Sequence, residues 1–322
     1  MTGSPSAPGI TDHLPLSIRA YAASEAKGRA AQQYKRAKRE RRLPPASEWA
    51  LVFDTETTTD AGQALRFGTY QVYKGGELYE AGIFYADVTA DELAVLHAHA
   101  IAHGLRIITR DVFADEIFYG IGYKLRATIV GFNLPFDISR IAIDHDSARR
   151  EMRGGFTFRI SATDKWLPHV RVRHISQRAS FIGFAGSMQQ RQGRSDRKHG
   201  RKFPVRRGYF IDVKTLAGAL FAQSFSLASL SAFLGIPNPK LDFDEFAGPI
   251  TDEMVGYAVR DVQATWECYA ELVERYAKLG LSGTPPEKIY SEASIGKGYL
   301  RAMGIRPWRE CQPDFPPQML GN

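Results

Sequence analysis

The sequence has few of the features that mark secreted, disulfide-stabilised or membrane-spanning proteins. Its two cysteines, Cys268 and Cys311, are too few for a disulfide framework or a cysteine-rich zinc cluster, so we predict reduced thiols without a special role. No apolar run approaches the roughly 18 residues of a membrane-spanning helix. The first residues also lack the charged-then-apolar layout of a secretory signal. We therefore expect a cytoplasmic protein without membrane association.

Basic residues outnumber acidic residues, and the excess is concentrated in one part of the chain. The chain carries 42 Lys/Arg against 35 Asp/Glu, a net charge of +7. Between Arg149 and Arg207 there are sixteen Lys/Arg and three acids. Such an excess suits a polyanion such as nucleic acid, although overall basicity alone proves nothing about binding. Eight residues of this block are our candidate nucleic-acid contacts: Arg171, Arg173, Arg191, Arg194, Arg197, Lys198, Arg201 and Lys202.

The chain divides into three predicted regions. With 322 residues and 44% hydrophobic content, it can bury a full-sized core. Residues 1–46 read as a basic, partly disordered arm, which either docks on nucleic acid or is a solvated tail. Residues 47–285 read as the folded domain, with a basic insertion at about 149–207. Residues 286–322 form a C-terminal extension.

Hydrophobic periodicity predicts alternating strands and helices. Strands are expected at Trp49–Phe53, Phe67–Tyr73, Leu78–Tyr85, Arg106–Thr109, Ala127–Phe132 and Tyr209–Asp212. Helices are expected at Thr89–His103, Asp111–Tyr123, Pro135–Ile143, Thr215–Ala222, Leu227–Leu234 and Asp252–Leu279. The basic insertion contains three short strand-like segments at 156–160, 169–175 and 181–184, which predict a β-hairpin region. The expected fold class is therefore α/β, a mixed sheet flanked by helices.

Two acids stand at the end of the first predicted strand. Asp54 and Glu56 follow the apolar run Leu51–Phe53, and residues i and i+2 of a strand point to the same face. Carboxylates placed together repel unless a cation lies between them, and hard oxygen ligands suit Mg²⁺ or Mn²⁺. Alone, Asp-x-Glu is a weak signal, since most such pairs are solvated strand ends.

Two further acids lie on predicted helices. Asp137 lies five residues after the end of the buried strand at Phe132, at the start of the helix that follows. Taken singly, it is equally well explained as a first-turn acid that the helix dipole favours. Tyr257 and Asp261 are four residues apart on the long C-terminal helix and therefore share a face.

Together these residues match the needs of two-metal phosphodiester cleavage. Asp54 would bridge two ions, Glu56 and Asp261 would hold the ion on the nucleophile side, and Asp137 would support the second. Tyr257 would orient the attacking water, because a phenol with an ordinary pKa near 10 is a poor base at neutral pH.

Three segments resemble the exonuclease motifs of DEDDy 3′→5′ exonucleases. Asp54-Thr55-Glu56 resembles the first motif, Asn133–Asp137 the second and Tyr257–Asp261 the third. The histidine subclass has a histidine five residues before the last aspartate, where this chain has Gly256. The resemblance therefore implies the tyrosine subclass and a ribonuclease H-like fold with two Mg²⁺ or Mn²⁺ ions.

More narrowly, the chain resembles the exonuclease portion of family B DNA polymerases of the protein-primed, viral and organellar-plasmid kind. Phe225–Leu230 and Lys240–Asp242 are similar to the segment before their third motif, and Tyr290–Lys297 to the join between their exonuclease and polymerase halves. Only 61 residues follow Asp261, and none resembles a polymerase motif. We therefore expect nucleotide removal without a polymerase palm.

The same resemblance assigns further contacts. It implies that Lys240 contacts phosphate during catalysis, and that Thr57, Asn133 and Phe136 touch the single-stranded 3′ end. On the residues alone, Lys240 is equally well a solvated loop lysine, and Phe136 a core residue.

The leading hypothesis is an exonuclease acting on single-stranded DNA 3′ ends, free-standing or as the proofreading part of a polymerase. One alternative is a nucleic-acid-binding subunit with a vestigial nuclease site, within a larger complex that includes a protein partner. Another is an RNA 3′-end exonuclease, since the metal chemistry is indifferent to the sugar.

Overall fold

The computed structural model describes residues 46–149, 152–185, 208–240, 247–281 and 283–305. Residues 1–45 of the predicted N-terminal arm and residues 306–322 of the predicted C-terminal extension, Cys311 among them, lie outside the described residues. So do six of the candidate nucleic-acid contacts: Arg191, Arg194, Arg197, Lys198, Arg201 and Lys202.

The first half of the described chain builds most of the main sheet. Its elements, in chain order, are β1 (Trp49–Thr57), β2 (Leu65–Lys74), β3 (Glu77–Tyr85), α1 (Ala90–His103), β4 (Arg106–Thr109), α2 (Arg110–Val112), a π-helix (Phe113–Lys124), β5 (Thr128–Gly131) and α3 (Leu134–Ile141). Helix α1 begins with a capping box, in which the Thr89 side chain accepts from the Glu92 amide and the Glu92 side chain accepts from the Thr89 amide.

The second half adds a small sheet, the last strand of the main sheet and the C-terminal helices. Its elements are β6 (Asp144–Ser147), β7 (Phe156–Arg159), β8 (Val170–Ser176), β9 (Ala179–Phe184), β10 (Tyr209–Asp212), α4 (Val213–Phe221), α5 (Leu227–Leu234), α6 (Asp252–Ala277), a 3₁₀ turn (Pro286–Lys288) and α7 (Glu292–Ala302). The three strands expected in the basic insertion are confirmed as β7, β8 and β9.

The main sheet has the strand order β10-β5-β1-β2-β3-β4. Strand β1 pairs antiparallel with β2, and β2 antiparallel with β3. On its other side β1 pairs parallel with β5, which pairs parallel with β10. Helices cover both faces of this mixed sheet. The predicted fold class, a ribonuclease H-like α/β fold, is therefore confirmed.

Strand β1 separates two parts of the hydrophobic core. Leu51 and Phe53 pack against the π-helix side, in one cluster with Phe113 and Phe118. Ala50 and Val52 pack on the opposite face, in one cluster with Val262 and other residues of α6. Because strand side chains alternate, Asp54 and Glu56 continue the face that α6 covers.

The described part of the insertion and the strand just before it form a four-stranded antiparallel sheet with the order β6-β7-β8-β9. Its first strand, Asp144–Ser147, was not predicted, because all four of its residues are polar and exposed and show no apolar alternation. The strand forms through backbone pairing with β7. Buried Arg110 ties this region to the main body by donating to the carbonyl oxygens of Ile141 and Ile160.

The helix expected at Asp111–Tyr123 is present but is wound mostly as a π-helix, Phe113–Lys124. Its i→i+5 hydrogen bonding places Phe113 and Phe118 on the same buried side. Within the described residues, no helix is both long enough and apolar enough to cross a membrane. Cys268 is a buried free thiol.

Gly68 of β2 is paired with Thr55 of β1 on one side and with Phe84 of β3 on the other. An added Cβ would fall 2.3 Å from a ring carbon of Phe84 and 2.5 Å from the Asp54 carbonyl oxygen. We expect Gly68→Ala to lower the free energy of unfolding by about 1–3 kcal/mol, the usual cost of overpacking. Urea unfolding would measure the change.

The matched control is Gly183→Ala in β9, where an added Cβ would meet no atom within 4 Å. It should change the free energy of unfolding by less than about 0.5 kcal/mol. Equal losses of unfolding free energy in the two variants would contradict the crowding at Gly68.

Candidate active site

The end of β1 supplies the first two acids. Asp54 is partly buried and Glu56 is buried, with 9% of its surface exposed. The pairing register between β1 and β2 shifts between Glu56 and Thr57. Such a bulge bends the strand and re-aims the side chains beside it. The predicted pair therefore projects from one rim of the sheet.

The third acid is positioned by the turn that joins β5 to α3. Asn133 adopts a left-handed conformation with φ 67°. Asp212, at the end of β10, accepts hydrogen bonds from the Asn133 and Leu134 amides at 2.8 and 3.2 Å. This fixes the start of α3 and leaves Asp137 in its first turn. Asp137 is 2% exposed and accepts from the Thr55 hydroxyl at 2.7 Å.

Helix α6 supplies the fourth acid and the tyrosine. The Thr69 hydroxyl, opposite Asp54 in β2, donates to the Ala258 carbonyl oxygen at 2.9 Å and so docks α6 on the sheet. Tyr257 and Asp261 lie one helical turn apart and face the same side, as predicted. The Lys240 ammonium donates both to the Tyr257 hydroxyl and to Asp261 Oδ2.

Three of the four acids have a pKa that a neighbouring acid raises. Burial, with repulsion from Asp261, raises the pKa of Asp54 to about 7 despite the nearby Lys240. Burial and repulsion from Asp54 and Asp261 raise the pKa of Glu56 to about 8. Burial and the charge of Asp54 hold the pKa of Asp137 well above its ordinary value.

Asp261 follows the same pattern with a stronger counter-effect. Burial raises its pKa even though Lys240 lowers it through a hydrogen bond and its charge. The pKa of Lys240 is also raised, since its bonds to Asp261 and Tyr257 outweigh its own desolvation. Like charges held this close, in a partly dehydrated site, favour a cation between them.

Two oxygen atoms at this site have no hydrogen-bond partner. Asp137 Oδ2 and Asp261 Oδ1 are buried and unsatisfied, which is unusual for charged groups. Within the described part of the chain, no three acidic, histidine or cysteine side chains are already gathered as a metal cage. The all-oxygen donor set and the two unsatisfied oxygens nevertheless fit hard divalent cations such as Mg²⁺ or Mn²⁺.

Three predicted nucleic-acid contacts surround this rim. Thr57 is partly buried at the β1 bulge, and Asn133 is exposed at the turn before α3. Phe136 is partly buried, with the Arg140 guanidinium 4.9 Å from its ring centroid. Arg140 also donates to the carbonyl oxygens of Gly62 and Gln63 and so fixes the loop after β1. That these residues contact a 3′ end stays a prediction.

Arg171 and Arg173 lie on the outer face of the inserted sheet. Their neighbours Val170 and Val172 point the opposite way, into the core. In β9, Gly183 faces Arg171 and leaves open space beside it. Arg171 Nε is buried without a hydrogen-bond partner. A nucleic-acid role for the two arginines stays a prediction.

Sequence reasoning missed two groups that shape the site. Asp212 uses both carboxylate oxygens, because it also accepts from Thr215 and so caps α4. Its position between a strand and a helix is a cap signal that could have been found. Asn238 bonds to Glu267, 29 residues away. No local pattern marks that pair.

Comparisons with protein-family models and with curated proteins found no match. Among solved structures, the chain is similar to a phi29 DNA polymerase complexed with single-stranded DNA, with 14% sequence identity and a TM-score of 0.37. The match covers 80% of this chain and 35% of the polymerase chain. A likeness of this degree carries no argument about function, and the fold assignment rests on the strand order and pairing described above.

The raised pKa values predict how pH affects the metal-free protein. A carboxyl group whose pKa is higher in the folded than in the unfolded state stabilises folding most at low pH. For Asp54 this stability is lost as pH rises from the ordinary 3.8 towards about 7. At pH 8 with a chelator, Asp54→Asn should therefore raise the Tm by on the order of 5 °C.

The gain should shrink at pH 5, where Asp54 is mostly protonated in the folded state. Asp87→Asn is the matched control, because Asp87 is exposed, and it should leave the Tm within about 1 °C. Calorimetry at both pH values would measure the shifts. An Asp54→Asn variant that is less stable than the wild type at pH 8 would contradict the raised pKa of Asp54.

Proposed function

We propose that the protein is a metal-dependent 3′→5′ exonuclease that hydrolyses phosphodiester bonds at the ends of single-stranded DNA. One observation carries the proposal: four acids from β1, α3 and α6 lie near Tyr257 and Lys240, each with a pKa raised by burial and three of them also by a neighbouring acid. Two of their buried carboxylate oxygens have no partner. A purely structural acid cluster would normally be satisfied by hydrogen bonds.

Asp54, Glu56, Asp137 and Asp261 would hold two Mg²⁺ or Mn²⁺ ions. When bound, the ions supply Lewis-acid activation of water and charge stabilisation of the leaving 3′ oxygen. Their charge also suits acids whose pKa values are raised, because a nearby cation favours the ionised form of each carboxyl group.

Tyr257 and Lys240 have distinct tasks in this proposal. Burial raises the pKa of Tyr257 to about 12, so the phenol keeps its proton at neutral pH and orients the attacking water without acting as its base. Lys240 has a raised pKa and remains an ammonium group. Its positive charge would offset the charge that builds up on the phosphate under attack.

The polynucleotide would enter along the rim formed by Thr57, Asn133 and Phe136. Phe136 offers an aromatic face on which a base can stack, and the neighbouring Arg140 adds positive charge. Arg171 and Arg173 would bind phosphates farther along the strand. We also propose that the protein acts with a protein partner in a larger nucleic-acid complex.

Exonuclease activity is tested with a 5′-labelled single-stranded DNA oligonucleotide and Mn²⁺. The wild type should give a descending ladder of products on a sequencing gel. Asp54→Ala should lower the rate by more than about 100-fold, because it removes the group proposed to bridge both ions.

The exposed Asp87→Asn variant serves as the control and should retain the wild-type rate. Ladder formation that survives in Asp54→Ala would reject the assignment. The same assay with RNA of identical sequence separates a DNA enzyme from an RNA enzyme. A wild type that binds either strand but degrades neither would favour a binding subunit with a vestigial site.

Metal binding has a readout that does not require activity. Mn²⁺ added to the metal-free protein should raise the Tm, since a ligand that binds only the folded state stabilises it by about 2.7 kcal/mol at 100 times Kd. The shift should be largely absent in Asp261→Asn. Differential scanning calorimetry would measure it, with Asp87→Asn as control. An equal shift in both variants would place the metal elsewhere.

A further inference from the structure

Lys240 is held over the candidate site although its side chain is long and flexible. Its side chain is 25% exposed, and its ammonium donates to Tyr257 and Asp261 while lying 4.4 Å from the Tyr257 ring centroid. A free lysine side chain carries about 2 kcal/mol of rotamer entropy. Keeping its ammonium at one place therefore needs a backbone that is fixed close by.

That backbone is a short, stiff segment. Lys240 ends the run Ile236-Pro237-Asn238-Pro239-Lys240. Each proline fixes its own φ and restricts the residue before it. Asn238, between the two prolines, therefore has little conformational freedom. Any contact that anchors Asn238 also sets where Lys240 begins.

Asn238 is anchored to α6 through three of its polar groups. Its amide N–H donates to Glu267 Oε2 at 2.9 Å, and its side-chain Nδ2 donates to Glu267 Oε1 at 2.6 Å. Its Oδ1 accepts from Arg260 Nη1 at 2.6 Å. The contact is two-pronged and charge-assisted, so it fixes orientation as well as distance.

The anchor is itself supported by α6 and β2. Gln263 donates to Glu267 Oε1 at 2.8 Å from one helical turn away. The Tyr73 hydroxyl of β2 lies 3.3 Å from Gln263 Oε1. The contacts of Gln263 therefore hold the Glu267 carboxylate in place independently of Asn238.

Helix α6 carries both the anchor and the partners of Lys240. Arg260 and Glu267 hold Asn238, while Tyr257 and Asp261 accept from Lys240. Ten residues of α-helix separate Tyr257 from Glu267, a rise of about 15 Å. Helix α6 thus fixes both the segment that carries Lys240 and the two groups, Tyr257 and Asp261, to which Lys240 donates.

We infer that Asn238, clamped by Glu267 and Arg260, is a positioning residue that places the Lys240 ammonium at Tyr257 and Asp261. The inference rests on the proposed exonuclease function for its catalytic consequence. Its structural content, that the clamp sets the position of Lys240, is independent of that function.

The kinetic test is a double-mutant cycle on the full chain with labelled DNA and Mn²⁺. Asn238→Ala should lower kcat about 10-fold and leave KM within about twofold, because a supporting contact is lost while strand binding remains. Glu267→Gln should have a smaller effect, since one accepting oxygen is kept. In a Lys240→Ala background, Asn238→Ala should lower kcat by less than about twofold.

Glu271→Gln is the matched control, because Glu271 lies one turn farther along α6 and pairs with Arg275 at the surface. It should not change kcat. An equal loss of kcat from Asn238→Ala with and without Lys240 would overturn the inference, since the clamp would then act on stability alone.

A second readout does not depend on DNA cleavage. Lysine acetylation, followed by mass spectrometry, should label Lys240 slowly in the wild type and several-fold faster in Asn238→Ala. Lys278, with 69% of its side chain exposed, is the internal reference and should not change. An unchanged labelling rate at Lys240 would overturn the clamp. A wild type that leaves DNA intact would instead overturn the proposed function, while labelling still decides the clamp.

Discussion

Repulsion among buried carboxylates is the constraint on which the rest of the site depends. Burial opposes the ionisation of all four acids, and repulsion from a neighbouring acid adds to this effect at Asp54, Glu56 and Asp137. The free energy that holds them there comes from the scaffold. The central strand pairing of β1, the hydrogen bonds from the start of α3 to Asp212 and the Thr69 contact with α6 each fix one element that carries an acid.

Lys240 is the one cation that donates directly to an acid of this set within the described residues. Its ammonium lowers the pKa of Asp261, which burial nevertheless keeps above its ordinary value. The same ammonium lowers the pKa of Glu56, which still lies at about 8, so this carboxyl group keeps its proton at neutral pH without a further cation. The charge of Lys240 thus neutralises the carboxylates only in part. This is the physical reason why divalent cations suit the site.

The parts of the site that follow from local periodicity could be predicted from sequence. Strand alternation placed Asp54 and Glu56 on one face, and helical spacing placed Tyr257 beside Asp261. Strand β6 could not be predicted, because its polar residues form a strand only by pairing with β7. The Asn238–Glu267 contact was equally hidden, since it joins segments that only the tertiary fold brings together.

The alternation of β1 has a consequence for how this chain can vary. Residues 50 and 52 face α6, 51 and 53 face the π-helix, and the acids at 54 and 56 inherit their direction from that parity. Many apolar side chains could replace those of the strand without turning it. Inserting or deleting a single residue within it would send the acids to the wrong side, whereas a change of two residues would preserve their side. The spacing of this segment therefore constrains the site more tightly than its composition does.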